Sequence, residues 1–462
     1  MRRILVIFAA LTILIFATTS CGGGSSSTSS FSTTPKTATV YMTGSDAPLP
    51  AVLSFQIGIQ SITLYNGTTS VALVNQPSSI EFSRLLGLRT LLALNSVPVG
   101  TYTSATITLA NPVISYLDIT TTPTSVKTIN GNLLNNTVTY TLATPLTVTE
   151  NGLGGLHLHF DLQKSLKVDS NGQITGDVNP VIQMRTLTVN DDDATIDELH
   201  GSLISVNAAA NTFVIQRVNG RQLTIRVDSN TNWDGTDTIN TIAPPLVMEV
   251  AGTVQADGSI LATDVQAITR DKAYLGGLVL NSDPTMGPAN NVTILVREEI
   301  PVLAGIDVGK TTTLNLNSNT VFSIFRMRLP VSSFIFNSSQ LVVGQRVSLG
   351  GDIDTSTTPA SFDTRRVVLH RQGLEGVYVA NSLQVTAGNN GSFQMNVSGL
   401  HGYLFGAPLT IMTTNATRFR NIGSLSAVAN TTGPIYAVGL LLKDPNTGNP
   451  VLVAGLVGQP GN

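Results

Sequence analysis

"NTFVIQRVNGRQLTIRV", residues 211–227, sets Phe213 and Ile215 two apart before an Asn219-Gly220 pair and Leu223, Ile225 and Val227 two apart after it. A period of two turns one side of a strand toward a core. An Asn-Gly pair between two such runs signals a tight type I′ hairpin. The same pattern returns around Asp257-Gly258 in "VMEVAGTVQADGSILATDVQAI", and "HGSLISV" supplies another strand upstream. About five short strands in roughly seventy residues is the content of a small closed barrel of OB type. Closure also removes exposed sheet edges, which a chain poor in charge has few means to protect.

This unit recurs. A second copy opens with "LGGLVL", contains "LNLNSNTVF" and closes with "LVVGQRVSLGGDIDTSTTPASFDTRRVVL"; in a third the landmarks are "LEGVYV", "IMTTNATRF" and "IYAVGLLLKDPNTGNPVLVAGLV". Each holds a Thr two residues before an aromatic (Thr231/Trp233, Thr320/Phe322, Thr417/Phe419) and a late alternating strand with Gly252, Gly350 or Gly439. Repetition of landmarks in one order is the mark of a repeated module. The expected units span 198–270, 273–371 and 373–459. All three resemble the family called domain of unknown function 5666, the first most closely.

Upstream, residues 37–190 read as alternating strands separated by turns, the content of a two-sheet β-sandwich. Leu53, Phe55, Ile57 and Ile59 share one parity and Ile62 and Leu64 the other, which places a bulge near Gln60. An Asn171-Gly172 pair marks a hairpin, and "FSRLLGLRTLLAL" from Phe82 is open to helix or strand. "GSDAPLPAVLSFQIGIQSITLYN", "VPVGTYTSATI" and "HFDLQKSLKV" with "VNPVIQM" resemble, in order, landmarks of a bacterial envelope family called domain of unknown function 4382. That family brings no activity with it. The fold expected for the whole chain is therefore all-β: an N-terminal sandwich followed by three small OB-like barrels.

The first residues say where the chain works. Arg2 and Arg3 precede an apolar run from Ile4 to Phe16 and the small residues Ala17 to Ser20, the layout of a secretory signal peptide over 1–20. The run is shorter than the ~20 residues a spanning helix needs. The only cysteine, Cys21, follows at once, and "ATTSC" resembles the lipobox of bacterial lipoproteins, although Thr18 stands where an aliphatic residue is usual. The resemblance implies that Cys21 is the lipid attachment site. Two or more acyl chains hold a protein stably on a bilayer, where one does so only marginally. An ordinary cleaved leader with an incidental cysteine is the alternative. Residues 21–36 are a Gly/Ser-rich tether that reaches on the order of 20 Å as a flexible coil.

Composition excludes some functions. Charged residues are 11% of the 462, net charge is −3, and no basic run follows Arg3. The electrostatic footprint of a nucleic-acid binder is missing. A single cysteine makes no internal disulfide. There is no G-x-S-x-G elbow and no phosphate-binding G-x-x-x-x-G-K-[ST] loop. Glu298 and Glu299 are adjacent, so on a strand they face opposite ways and read as solvated. No catalytic residue and no cofactor is expected.

Two clusters have metal-like spacing. His157 and His159 lie two apart on an expected strand, as zinc ligands often do, with Asp161 on the same parity; a solvated strand face is the plainer reading. Asp191, Asp192 and Asp193 are able to gather calcium, or else form a hydrated, self-repelling hinge. "DPNTGNP" from Asp444 reads as a turn. Trp233 suits sugar stacking, but its alignment with Phe322 and Phe419 favours a plug in each barrel core. The expectation is a non-enzymatic, lipid-anchored protein of the bacterial cell envelope, in the outer membrane, acting as a binding, adhesion or scaffold module. Its partners would be membrane lipid and an envelope protein or glycan. The alternative is a carbohydrate- or metal-binding accessory lipoprotein of a secreted catabolic system.

Overall fold

In a computed structural model the described residues are 36–459, apart from 48, 50, 75, 119, 122–124, 189–190, 270, 272, 283–290, 304, 326–334, 357, 359, 399–406 and 445–446. The expected leader, Cys21 and all of the tether but Lys36 lie outside them. Residues Lys36–Asn462 form one compact unit, and its secondary structure is almost entirely β. No described helix is long and apolar enough to cross a membrane.

The first part is a sandwich. One sheet carries Ile182–Thr186, Leu153–Asp161, Thr37–Ala47 and Thr90–Pro98 side by side. The other is built on the long antiparallel pair Val52–Tyr65 and Gly100–Asp118. Their facing side chains share one core, in which the Phe160 ring lies 5.4 Å from Phe55 and 5.0 Å from Phe82. The register of Val52–Tyr65 shifts between Ile59 and Ser61, so the expected bulge at Gln60 is present, and the apolar residues on both sides of it are buried.

Several of the quoted motifs have local physical causes. Asp161 caps the four-residue helix Leu162–Ser165 by accepting from the Lys164 amide, and the Ser165 hydroxyl donates to the Asp161 carbonyl. Tyr102 donates its hydroxyl proton to the Pro98 carbonyl, tying the strand after the turn to the strand before it. "FSRLLGLRTLLAL" is not helical: residues 82–89 form turns, with Gly87 at φ +66°, before the strand Thr90–Pro98 begins.

Three barrels follow, each closed and each with the strand order one-two-three-five-four-one. Strands one to five are Thr195–Asn207, Thr212–Gln216, Gln222–Arg226, Val247–Val254 and Ile260–Thr269 in the first. In the second they are Ala273–Ser282, Asn291–Ile300, Thr311–Asn315, Arg346–Asp354 and Ser361–Leu369. In the third they are Arg371–Tyr378, Asn390–Val397, Leu409–Thr413, Ile435–Lys443 and Pro450–Gly458. Strand three meets strand five in parallel, the pairing that shuts the barrel.

The repeated Thr is a latch. Thr231, Thr320 and Thr417 each accept an amide proton from three residues back and donate to a strand-five carbonyl, those of Ala262, Thr364 and Ala454, at 2.7–2.8 Å. This fixes a short extra strand beside strand five and turns Trp233, Phe322 and Phe419 onto their own barrel cores. The aromatics are plugs, as their alignment indicates.

Two details differ from the sequence reading. The glycine opposite the latch is Gly252, Gly351 and Gly439, so in the second barrel it is one residue later than Gly350. A bulge presses each of these glycines against a strand-five carbonyl, leaving no room for a Cβ. The hairpin turns are not type I′, because Asn219 and Asp257 do not have positive φ. Gly220 and Gly258 alone are left-handed, and their amides donate to Arg217 and Gln255, a type I turn closed by a glycine bulge.

Candidate functional site

A chain with few charges buries many of them where the sandwich and the three barrels meet. Arg346, opening strand four of the second barrel, reaches both oxygens of Glu198 on strand one of the first. Arg84, from the turns after Phe82, lies 3.3 Å from Glu198 and 3.1 Å from Glu298 of the second barrel. His200 stands between Glu298 at 2.7 Å and Glu249 at 3.3 Å, and His370 reaches Glu249 from the other side at 3.4 Å. All but Glu298, whose side chain is 18% exposed, are buried.

Unpaired ions in such a place would be strongly destabilising, so each charge holds its neighbours in their charged forms. Burial opposes the charge on His200, but Glu298 and Glu249 overcome it and raise its pKa to about 9. Burial also opposes ionisation of Glu198, and Arg346 and Arg84 nonetheless bring it down to about 2. His370 goes the other way: desolvation outweighs Glu249 and lowers it to about 4. Glu298 is thus a member of this hub rather than a solvated residue. Glu299, its neighbour, points elsewhere and accepts from the Leu303 amide.

A second set of ion pairs runs along the sandwich. Arg89 binds Asp197 at 2.7 Å and Asp193 at 2.9 Å, and Arg371 of the third barrel approaches Asp197 at 3.7 Å. Arg185 takes Asp191 and Asp193 together, and Arg420 comes within 3.5 Å of Asp193. Asp191 and Asp193 are therefore clamped by arginines, not arranged as a hydrated hinge. Calcium would have to displace three guanidinium groups to gather their oxygens.

His157 and His159 are not on a solvated face either. His157 is buried, with its two ring nitrogens 2.9 Å from the Thr43 and Ser45 hydroxyls, and the Ser45 hydroxyl also meets His159 at 3.1 Å. Desolvation lowers His157 to about 4. Among the described residues no group of three or more His, Cys, Asp or Glu is disposed to hold a metal ion.

Beside the hub lie two adjoining hollows of about 350 and 510 Å³ that share Ser78, Arg217 and Asn219. They form one groove between the sandwich, the strand two–three hairpin of the first barrel and strand two of the second. Arg221 lines the smaller hollow, and Arg297, Arg84 and Glu298 line the larger.

Sequence reasoning named none of Arg84, Arg217, Glu249, Arg297 or Arg346. The available signal was context: Glu249 in "VMEVAG" and Arg297 in "TILVREEI" interrupt apolar strands that have no exposed side. A charge there is either paired or exposed by a missing neighbour.

A family model described as a domain of unknown function (DUF5666) matches residues 200–266, from the middle of strand one to strand five of the first barrel. No curated protein matches the chain.

Proposed function

We propose that this is a non-enzymatic, lipid-anchored protein of the bacterial cell envelope whose sandwich and barrels act together as a rigid binding or scaffold module, held by acyl chains on Cys21, in the outer membrane. The resemblance of residues 44–184 to domain of unknown function 4382, and of the second and third barrels to DUF5666, belongs to the same reading. The observation that carries it is the hub. Glu198, Glu298 and His200 are engaged with each other and with Arg84 and Arg346, and Glu249, which makes no hydrogen bond, is held by ion-pair contacts with His200 and His370 alone, so the groups best suited to proton transfer lock separate β-units to one another. Apolar contacts reinforce the lock: Leu440 and Val453 of the third barrel pack into the core of the second, and Leu86 and Leu88 of the sandwich meet Tyr436 and Val438.

Crosslinking in intact cells followed by pull-down tests the module, and mass spectrometry of the native protein tests the anchor. A recurrent envelope partner and a diacylated Cys21 at the mature N-terminus are expected. Turnover of a substrate, abolished by one acid-to-amide change, would replace this reading with an enzyme. An unmodified Cys21 would remove the anchor.

A further inference from the structure

We infer that the groove between the sandwich and the first two barrels binds an acidic saccharide, a sugar chain carrying carboxylate or sulfate groups. This rests on the binding-module reading and adds a ligand class and a place.

The inference starts from arginines that lack a carboxylate partner. Arg84, Arg89, Arg346, Arg371 and Arg420 each reach a carboxylate. Arg217, Arg221 and Arg297, at least half-buried, have no ion pair among the described residues, and all three line the groove. Among the described residues the Arg217 guanidinium donates only to the Leu91 carbonyl, and that of Arg297 only to the Leu53 carbonyl. Arg297 is 8% exposed, and its buried Nε has no acceptor.

Local carboxylates do not fill the gap. Glu298 is taken by Arg84 and His200, and Glu299 by the Leu303 amide. One oxygen of Glu81 accepts from the Phe55 and Ser83 amides. The other oxygen of Glu81 is buried without a hydrogen-bond partner; it lies close enough to favour the charge on Arg297, yet makes no hydrogen bond with it. Desolvation lowers the pKa of all three unpaired arginines, so each would gain from an oxyanion arriving with its own acceptors.

The rest of the lining indicates what carries the oxyanion. Gln56, Gln60 and Asn111 present amides that both donate and accept, which suits sugar hydroxyls. No Phe, Tyr or Trp lines either hollow. Neither a nucleobase nor a sugar face would find an aromatic to stack on, so recognition there would rest on hydrogen bonds to hydroxyls and on charge, and the placement of positive charge favours acidic sugars over neutral ones.

Calorimetric titration of the full chain tests this, with tetragalacturonate, a sulfated heparin tetrasaccharide, methyl-esterified tetragalacturonate and hexaglutamate as probes. At least one acidic saccharide is expected to bind, with the neutral ester weaker by about tenfold or more. Arg221→Gln, on a half-exposed hairpin, is expected to weaken binding by about tenfold, with Arg221→Lys recovering part. Arg297→Gln is expected to weaken binding likewise, with a lowered melting temperature because the buried Leu53 carbonyl loses its donor. The inference is overturned if neither acidic saccharide binds at millimolar concentration, if Arg221→Gln leaves affinity unchanged, or if hexaglutamate binds as tightly, which would assign the groove to acidic peptides. Capture of an envelope partner without saccharide binding ends this inference and leaves the module standing; failure of both ends both.

Discussion

Arg346 and Glu198 are 148 positions apart and form a two-pronged ion pair, one Nη–Oε contact at 2.7 Å, in an interior closed to solvent. Arg84 at 3.3 Å is the second partner of Glu198, and the Arg371 carbonyl accepts from Arg346. Glu198→Gln is expected to destabilise the protein by about 3–5 kcal/mol in guanidinium unfolding, because it strands a buried guanidinium. Replacing both with methionine should recover most of that loss. Equal losses in the single and double variants would show that the pair is not the stabilising element.

Three buried histidines set opposing pH slopes. His200 has a folded pKa of about 9, above its usual 6.5, so its contribution is complete below about pH 6.5 and lost as pH rises toward 9. His157 and His370 are lowered to about 4, so the fold prefers them neutral; their contribution is complete above about pH 6.5 and lost as pH falls toward 4. Maximal stability is expected near pH 6.5. His200→Gln should flatten the alkaline decline, worth about 3 kcal/mol for a shift of this size. A decline of the same depth in the variant would contradict the assignment.

The latch threonines make a prediction common to all barrels. Thr320→Val keeps the shape but orphans the Asn317 amide and the Thr364 carbonyl, at a cost of about 1–3 kcal/mol. Thr320→Ser should retain most of the stability. Thermal melting of the two variants side by side distinguishes a hydrogen-bond role from simple packing.

At Gly439 an added Cβ would lie 2.0 Å from the Val453 carbonyl oxygen, whereas at Gly433 it would meet nothing within 4 Å. Gly439→Ala is expected to cost about 3 kcal/mol or more, since backbone must move to accept it. Gly433→Ala should be neutral or slightly stabilising. Similar unfolding midpoints for the two would argue against the bulge.

Local signals were legible because local physics produces them. Alternation at Phe213, Ile215, Leu223 and Ile225 identified strands, since each barrel strand has one side facing a core. Parity reversal across Gln60 located a bulge for the same reason. The Thr-x-aromatic landmark repeated because one latch is built three times. Turn type was misread at Asn219 and Asp257: Gly in second place satisfies both type I′ and the type I turn with a bulge, and strand pairing chooses between them.

The sequence by itself determined that the chain is nearly all β, where its strands alternate and which segments repeat, because those properties depend on neighbours a few residues apart. Only the tertiary structure decided the fate of the charges. Glu298 looked solvated and is paired, Asp191 and Asp193 looked repelling and are clamped, and Arg217, Arg221 and Arg297 have no ion pair in the groove. The electrostatic cost of a charge is set by whichever opposite charge the fold carries next to it, six residues away for Arg185 and Asp191 but 214 for Arg84 and Glu298, and one-dimensional pattern holds no record of that distance.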